Sequence, residues 1–298
     1  MIPRLSFELS HEVAAIYAIE MSMEAHPVEV KVRYPIQVFD PELLEKCREE
    51  LSITSFLWHL KPLIATTRDI KDALRIHCEN EIVPLLNGMI RAYEAHWKRI
   101  LPTLEENIKS LAEIWEKYGN TILSEIANIS RHPWGIEEIK VYVVEPIVGG
   151  HGDAFPDKGI VIFEGIKPSS PESIIGLVHE IAHINTLPPL KGLLETRDIR
   201  SKVLYEIVNE YITEQAMVNA KILPTLDDFK LREIFEESVK EWMTESSIRF
   251  TYDPVLLKRK VDEWWAEHLR SSKNLLQSFI ELEKVALPIM QINASKPG

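Results

Sequence analysis

The residues most able to do chemistry lie in Ser173-Ile174-Ile175-Gly176-Leu177-Val178-His179-Glu180-Ile181-Ala182-His183-Ile184. The pattern is H-E-x-x-H. Residues four apart stand one above the other on a helix face, so the imidazoles of His179 and His183 can reach one cation. Glu180 sits beside them, placed to act as a base on a water without ligating the cation itself. The other positions of the segment are apolar nearly all round. A buried helix whose ionisable groups are confined to His179, Glu180 and His183 needs something to satisfy them.

A catalytic cation held this way takes a third protein ligand. The extended pattern H-E-x-x-H-x-x-G-x-x-H is missing, because Thr186 stands at the glycine position and Pro189 at that of the third ligand. That excludes the metzincin arrangement. Further along, Glu206, Glu210 and Glu214 recur every fourth residue and share one helical stripe. Taken alone, the stripe is either a source of ligands or a solvated acidic face.

The context of the stripe is Asn209-Glu210-Tyr211-Ile212-Thr213-Glu214. It resembles the second signature of the thermolysin-like gluzincin zinc metallopeptidases, N-E-x-x-[Ser/Thr]-[Asp/Glu]. The resemblance implies one zinc per chain, held by His179, His183 and Glu210, with Glu180 as general base. It implies that Glu214, with Asn209 nearby, orients His179; a carboxylate there fixes the ring and its tautomer. Asp153-Ala154-Phe155-Pro156-Asp157-Lys158-Gly159-Ile160-Val161-Ile162-Phe163 is similar to the family's edge strand, turn and second strand. It implies that Asp153 and Ala154 meet an extended peptide, since an edge strand offers unpaired N–H and C=O groups to any sequence. Family members also stabilise the oxyanion with a downstream His or Tyr, sometimes with an Arg. His268 and Tyr252 are the candidates for that catalytic role, and Arg249 for contact with substrate.

The resemblance covers roughly residues 150 to 215. The link from His183 to Glu210 is longer than in the best-known members, which implies an inserted loop at Asn185–Arg200. The Gly-x-Met-Glu-Asn motif of gluzincin aminopeptidases is missing; Gly150-His151-Gly152-Asp153-Ala154 stands near its place. The implied activity is zinc-dependent hydrolysis of peptide bonds by an endopeptidase or oligopeptidase, with a peptide or unfolded polypeptide as partner. Two other readings stay open. One is a catalytically inactive zincin-fold binding protein. The other is a di-iron carboxylate bundle built on Glu8-x-x-His11 and Glu180-x-x-His183, which leaves His179 without a role.

The elements that must position these residues read as follows. Apolar residues recur at three and four spacing through Phe7–Met23, Leu43–Leu51, Ile70–Met89 and Leu104–Ile126, which predicts helices. Val28–Val32 alternates and predicts a short strand. Ile139–Val144 is β-branched and alternating and predicts another. Asp153–Phe155 and Gly159–Phe163 predict two strands joined by a turn. Ser170-Pro171-Glu172 predicts a helix start, with serine near the cap and proline in the first turn. Helices follow at Arg200–Ala220, Leu226–Thr244, Pro254–Leu269 and Leu275–Val285. The expected class is α+β, predominantly α. The expected arrangement is a helical domain over 1–135 and a zincin-like catalytic domain over 136–298 with a small antiparallel sheet. His132-Pro133-Trp134-Gly135 marks the expected boundary.

Composition narrows the partners. The 298 residues carry 46 acidic against 34 basic side chains, for a net charge of −12. This argues against a protein that grips nucleic acid by its phosphates or binds an anionic membrane. No run of ~18 uncharged apolar residues predicts a membrane span. Two cysteines, Cys47 and Cys78, are too few for a disulfide framework. The first residues, Met1-Ile2-Pro3-Arg4, do not begin a basic and then apolar leader, so the expected location is the cytoplasm.

Overall fold

The computed structural model describes residues 1–23, 38–50, 54–66, 82–224 and 250–292. The expected strand at 28–32, most of the expected helix at 70–89, all of that at 226–244, and Arg249 lie outside these residues.

The described chain is mostly helical with a small mixed sheet, an α+β arrangement. Strand β1 (Arg4–Glu8) leads into helix α1 (His11–Ser22), followed by α2 (Pro41–Glu50), α3 (Thr54–Thr66) and the long α4 (Ile82–Ser130). Then come β2 (Glu138–Val144), β3 (Gly152–Phe155) and β4 (Ile160–Glu164). Helix α5 (Ile175–Leu194) and helix α6 (Ile199–Asn219) carry the chemistry-bearing motifs. Strand β5 (Phe250–Thr251), α7 (Pro254–Arg270), α8 (Leu275–Ala286) and β6 (Gln291–Ile292) end the described chain.

The sheet order is β1-β2-β4-β3. Strands β1, β2 and β4 run parallel, with Leu5 opposite Ile139 and Tyr142 opposite Ile162. Only β3 is antiparallel to its neighbour, with Ala154 opposite Val161. The sheet is therefore mixed and not the antiparallel one expected. The reason is connectivity: the described elements between β1 and β2 are helices, and such crossovers give parallel pairs, whereas the short turn from β3 to β4 gives a hairpin. In that turn Gly159 takes the left-handed conformation (φ 63°) after the helical turn Pro156–Lys158. All five residues of β4 are buried, as parallel strands covered on both faces require.

The strand β1 lies in a stretch whose apolar spacing predicted helix from Phe7 onward. Its partner is residues 138–142, so the segments before and after residue 135 share one sheet. The chain forms two discontinuous compact units. One contains 4–116 with 138–180, and the other contains 1–3, 117–137 and 181–298. Helices α4 and α5 each run from one unit into the other.

In the sheet-bearing unit, α1 is buried along most of its length, and α1 packs with α3 and β2. Lys61 of α3 is fully buried and donates to Glu20 of α1 at 2.5 Å and to Asp153 of β3. Burial pushes the Lys61 pKa down, but the charges of Asp153 and Glu20 push it up further, and the net shift is upward. In the other unit, Arg131 adopts a left-handed φ of 51° and donates to the carbonyls of His268, Leu269 and Lys273. Ser201 of α6 donates to Glu283 of α8 at 2.5 Å, and Tyr211 donates to Asp262 of α7 at 2.6 Å. Among the described residues no helix is long and apolar enough to cross a membrane.

Candidate metal centre

Helix α5 starts where serine and proline predicted. Ser170 is extended and caps the 3-10 turn Pro171–Ile174, and the α-helix follows without a break. It continues through Pro188 and Pro189 to Leu194. The loop expected at 185–200 is therefore reduced to the few residues between Leu194 and Ile199. The two prolines deprive the carbonyls of Ile184 and Asn185 of helical donors. Side chains tie this stretch down: Asn185 donates to His132 O at 3.0 Å and accepts from Ser130 at 2.6 Å. Helix α6 is capped by Asp198, which accepts the Arg200 N–H at 2.9 Å; the Arg200 guanidinium beside it lowers the Asp198 pKa.

Histidines 179 and 183 stand one turn apart on α5, as the motif requires. The carboxylate brought to them is that of Glu206. One ligand atom from each of His179, His183 and Glu206 lies within 4.8 Å of the other two. Among the described residues no other group of three such side chains is so placed, and neither Glu210 nor the Glu8–His11 pair of the di-iron reading belongs to one. The carboxylate grouped with the two histidines is thus one turn earlier on α6 than the expected Glu210. The spacing of four makes all three glutamates of the stripe equivalent in sequence, and helix rotation selects among them.

His183 shows how the ring is held. Its Nε2 lies 3.3 Å from Glu206 Oε2, and its Nδ1 lies 2.6 Å from the Tyr205 hydroxyl. Tyr205 also stands 3.1 Å from Thr186 Oγ1, and Thr186 donates to Asn209 Oδ1 at 2.8 Å or to Ala182 O at 3.0 Å. Tyr205, Thr186 and Asn209 are all buried. Asn209 therefore supports His183 through two hydroxyls. No motif marks Tyr205 or Thr186 as support for His183; the adjacency of Tyr205 to a stripe glutamate is the available signal.

The donor set is two imidazoles and one carboxylate, with the Nδ1 of His183 already engaged. That fits a divalent cation bound at three protein positions with room for a fourth ligand. His183 and Glu206 are only 12% and 16% exposed, so an ion there is partly shielded from water.

The other expected residues fall as follows. Glu180 is half-buried on α5, its side chain against Gly152, where a Cβ would come within 2.6 Å of Glu180 Cγ. Glu214 is buried on α6. Ala154 is half-buried on β3, which is an edge strand of the sheet. Asp153 is 1% exposed and paired with Lys61, so its carboxylate is part of the interior and not a substrate contact. Tyr252 lies half-buried between β5 and α7. His268 is 1% exposed and stacks on Trp264 and Trp265. Its Nε2 lies 2.9 Å from Ile129 O, and its Nδ1 is 3.4 Å from the Arg131 guanidinium. Burial pushes its pKa down to about 4, with the Arg131 charge adding to the effect. A ring so enclosed is a packing element, not an oxyanion donor.

No protein-family model matches the chain, and no curated protein and no solved structure matches it.

Proposed function

We infer that the chain is a zinc-dependent hydrolase of peptide bonds, acting on peptides or unfolded polypeptide. The observation that carries this reading is the meeting of His179, His183 and Glu206 on consecutive helices, with Glu180 next to the first ligand. In this reading the pair of acids one turn apart is kept but the motif's other positions are not, because Tyr205 and Asn209 stand where the shifted pattern has Asn and Ser/Thr. Glu206 takes the ligand role, and Glu210, one turn on, takes the orienting role that the motif assigned to Glu214. The mixed sheet also supports the reading, because its antiparallel edge strand β3 ends against Glu180 at Gly152. Such an edge can pair with an extended chain of any sequence.

Zinc bound by this set supplies a Lewis acid that polarises a carbonyl and acidifies water. The chain's own residues do the rest. Tyr205 holds the Nδ1 side of His183, which leaves Nε2 for the ion. Glu180, as general base, takes a proton from the attacking water and delivers it to the leaving amine. An intact Glu180 favours an enzyme over an inactive binding protein, since a purely structural site has no use for a base beside an open position.

The test is metal analysis combined with Glu180→Gln, assayed on a pool of quenched fluorescent peptides. One zinc per chain in both proteins, with hydrolysis in the parent and a loss of several orders of magnitude in the variant, is the expected result. Zinc without hydrolysis in either would indicate a binding protein. Two irons per chain would indicate the carboxylate bundle.

A further inference from the structure

Glu164 is the last residue of β4 and is fully buried. It is an interior carboxylate for which the proposed chemistry has no direct use. Its Oε1 accepts the N–H groups of Ile147 and Val148, both at 2.8 Å, and the Tyr17 hydroxyl at 3.0 Å. Its Oε2 accepts those of Gly149 at 2.5 Å, Gly150 at 2.9 Å and His151 at 3.4 Å. Five successive backbone donors thus converge on one side chain. The loop can curl this way because Gly149 and Gly150 adopt φ of 106° and 93°, which side-chain-bearing residues rarely reach. A buried carboxylate needs such charge-assisted bonds, and the loop in turn places five of its N–H groups on that carboxylate.

The far end of this loop lies on the start of α5. The Gly150 carbonyl would stand 2.8 Å from a Cβ at Gly176. A Cβ at Gly152 would meet Glu180 Cγ at 2.6 Å and Glu180 Cδ at 3.2 Å. The stem of Glu180 therefore rests on the bare backbone of Gly152, and Gly152 is the first residue after the stretch that Glu164 gathers. We propose that Glu164 is a positioning residue for Glu180: it fixes the 147–151 loop, and the loop sets Gly152 as the seat on which the Glu180 side chain is aimed. The catalytic consequence rests on the reading of Glu180 as the base. The seat itself does not.

Two variants test it. Glu164→Gln puts an amide among five backbone donors and the Tyr17 hydroxyl, and Gly152→Ala fills the seat, its Cβ also lying 3.0 Å from Ile162 O, without removing a donor to Glu164. In the metal-free protein, amide hydrogen exchange at 147–151 should speed up strongly in Glu164→Gln, while α5 stays protected. A crystal structure of Gly152→Ala should show the Glu180 carboxylate displaced by about 1 Å, a misplacement that can cost on the order of 10²-fold in rate. Unchanged exchange in the first variant, or an unmoved Glu180 in the second, overturns the proposal whether or not the protein is an enzyme. With zinc and the peptide pool, both variants should lose kcat about 10²-fold, with KM and zinc affinity held near the parent values. Losses confined to KM or to zinc binding also overturn it. A parent that binds no metal and cleaves nothing removes the proposed function, and the exchange and crystallographic results then still decide the seat.

Discussion

Nε2 of His183 lies 3.3 Å from Oε2 of Glu206, while its Nδ1 faces the hydroxyl of Tyr205. Consecutive residues of α6 thus reach opposite sides of one imidazole. The arrangement separates the stripe glutamates by role. Glu206→Gln should abolish tight zinc binding, because it removes a charged ligand. Glu210→Gln should weaken binding by roughly 10–100-fold, the usual cost of losing a partner that orients a ligand. Glu214→Gln should change it little. Zinc dissociation constants of the three variants check this order. A larger loss at Glu210 than at Glu206 would restore the unshifted motif.

Tyr205→Phe tests the support of His183. The variant keeps the ring, which packs 5.3 Å from the His183 ring, and removes only the hydroxyl at 2.6 Å. Zinc affinity should fall roughly 10–100-fold with little change in folding stability. Thr186→Val should give a smaller loss, since it acts one hydrogen bond further away. Equal affinities in parent and Tyr205→Phe would show that packing alone orients the ring.

Much of this was readable from residues. The cap at Ser170, the hairpin closed at Gly159, the helix from Arg200 and those from Pro254 and Leu275 follow from local chemistry, and the structure has them within a residue or two. What failed was non-local. β1 is five residues long and gains its pairing from a segment more than a hundred residues later, which no local period reports. Which stripe glutamate stands by the histidines depends on the rotation of α6, which Ser201 ties to Glu283 and Tyr211 to Asp262. The long link to Glu210 was in hindsight the signal. It suggested an insertion, whereas α5 continues through its two prolines and the carboxylate grouped with the histidines lies one turn nearer. The family resemblance placed Asp153 and His268 at the cleft, yet a buried lysine pairs with one and two tryptophans enclose the other.

Lys61 gives a stability prediction. Its ammonium is fully buried between Glu20 and Asp153 and lies 5.6 Å from the Tyr17 ring centroid and 6.0 Å from that of Phe155. Lys61→Met leaves two carboxylates facing each other without their cation. That should cost about 3–5 kcal/mol in urea unfolding at neutral pH, the usual cost of stranding a buried charge. Adding Glu20→Gln and Asp153→Asn should recover most of the loss, because the interior is then neutral. A single variant as stable as the parent would mean that the pairs contribute nothing to the fold.

His268 gives a dependence on pH. Its pKa is pushed down to about 4 by burial and the Arg131 charge, against about 6.5 in an unfolded chain. Between those values the unfolded chain binds the proton and the folded one does not, so stability rises with pH across that window. The contribution is fully present above about pH 6.5, drains away as pH falls toward 4, and levels off below. A difference of about 2.5 units corresponds to at most about 3 kcal/mol. The neutral ring donates from Nε2 to Ile129 O and accepts at Nδ1 from Arg131, and a protonated ring would turn a second donor toward that guanidinium. His268→Gln cannot titrate. Urea unfolding of metal-free parent and variant from pH 4 to 7 should therefore show the parent losing stability relative to the variant as pH falls, by up to that amount. Parallel pH profiles would mean that the ring is protonated without penalty, and that the stack on Trp264 and Trp265 admits water.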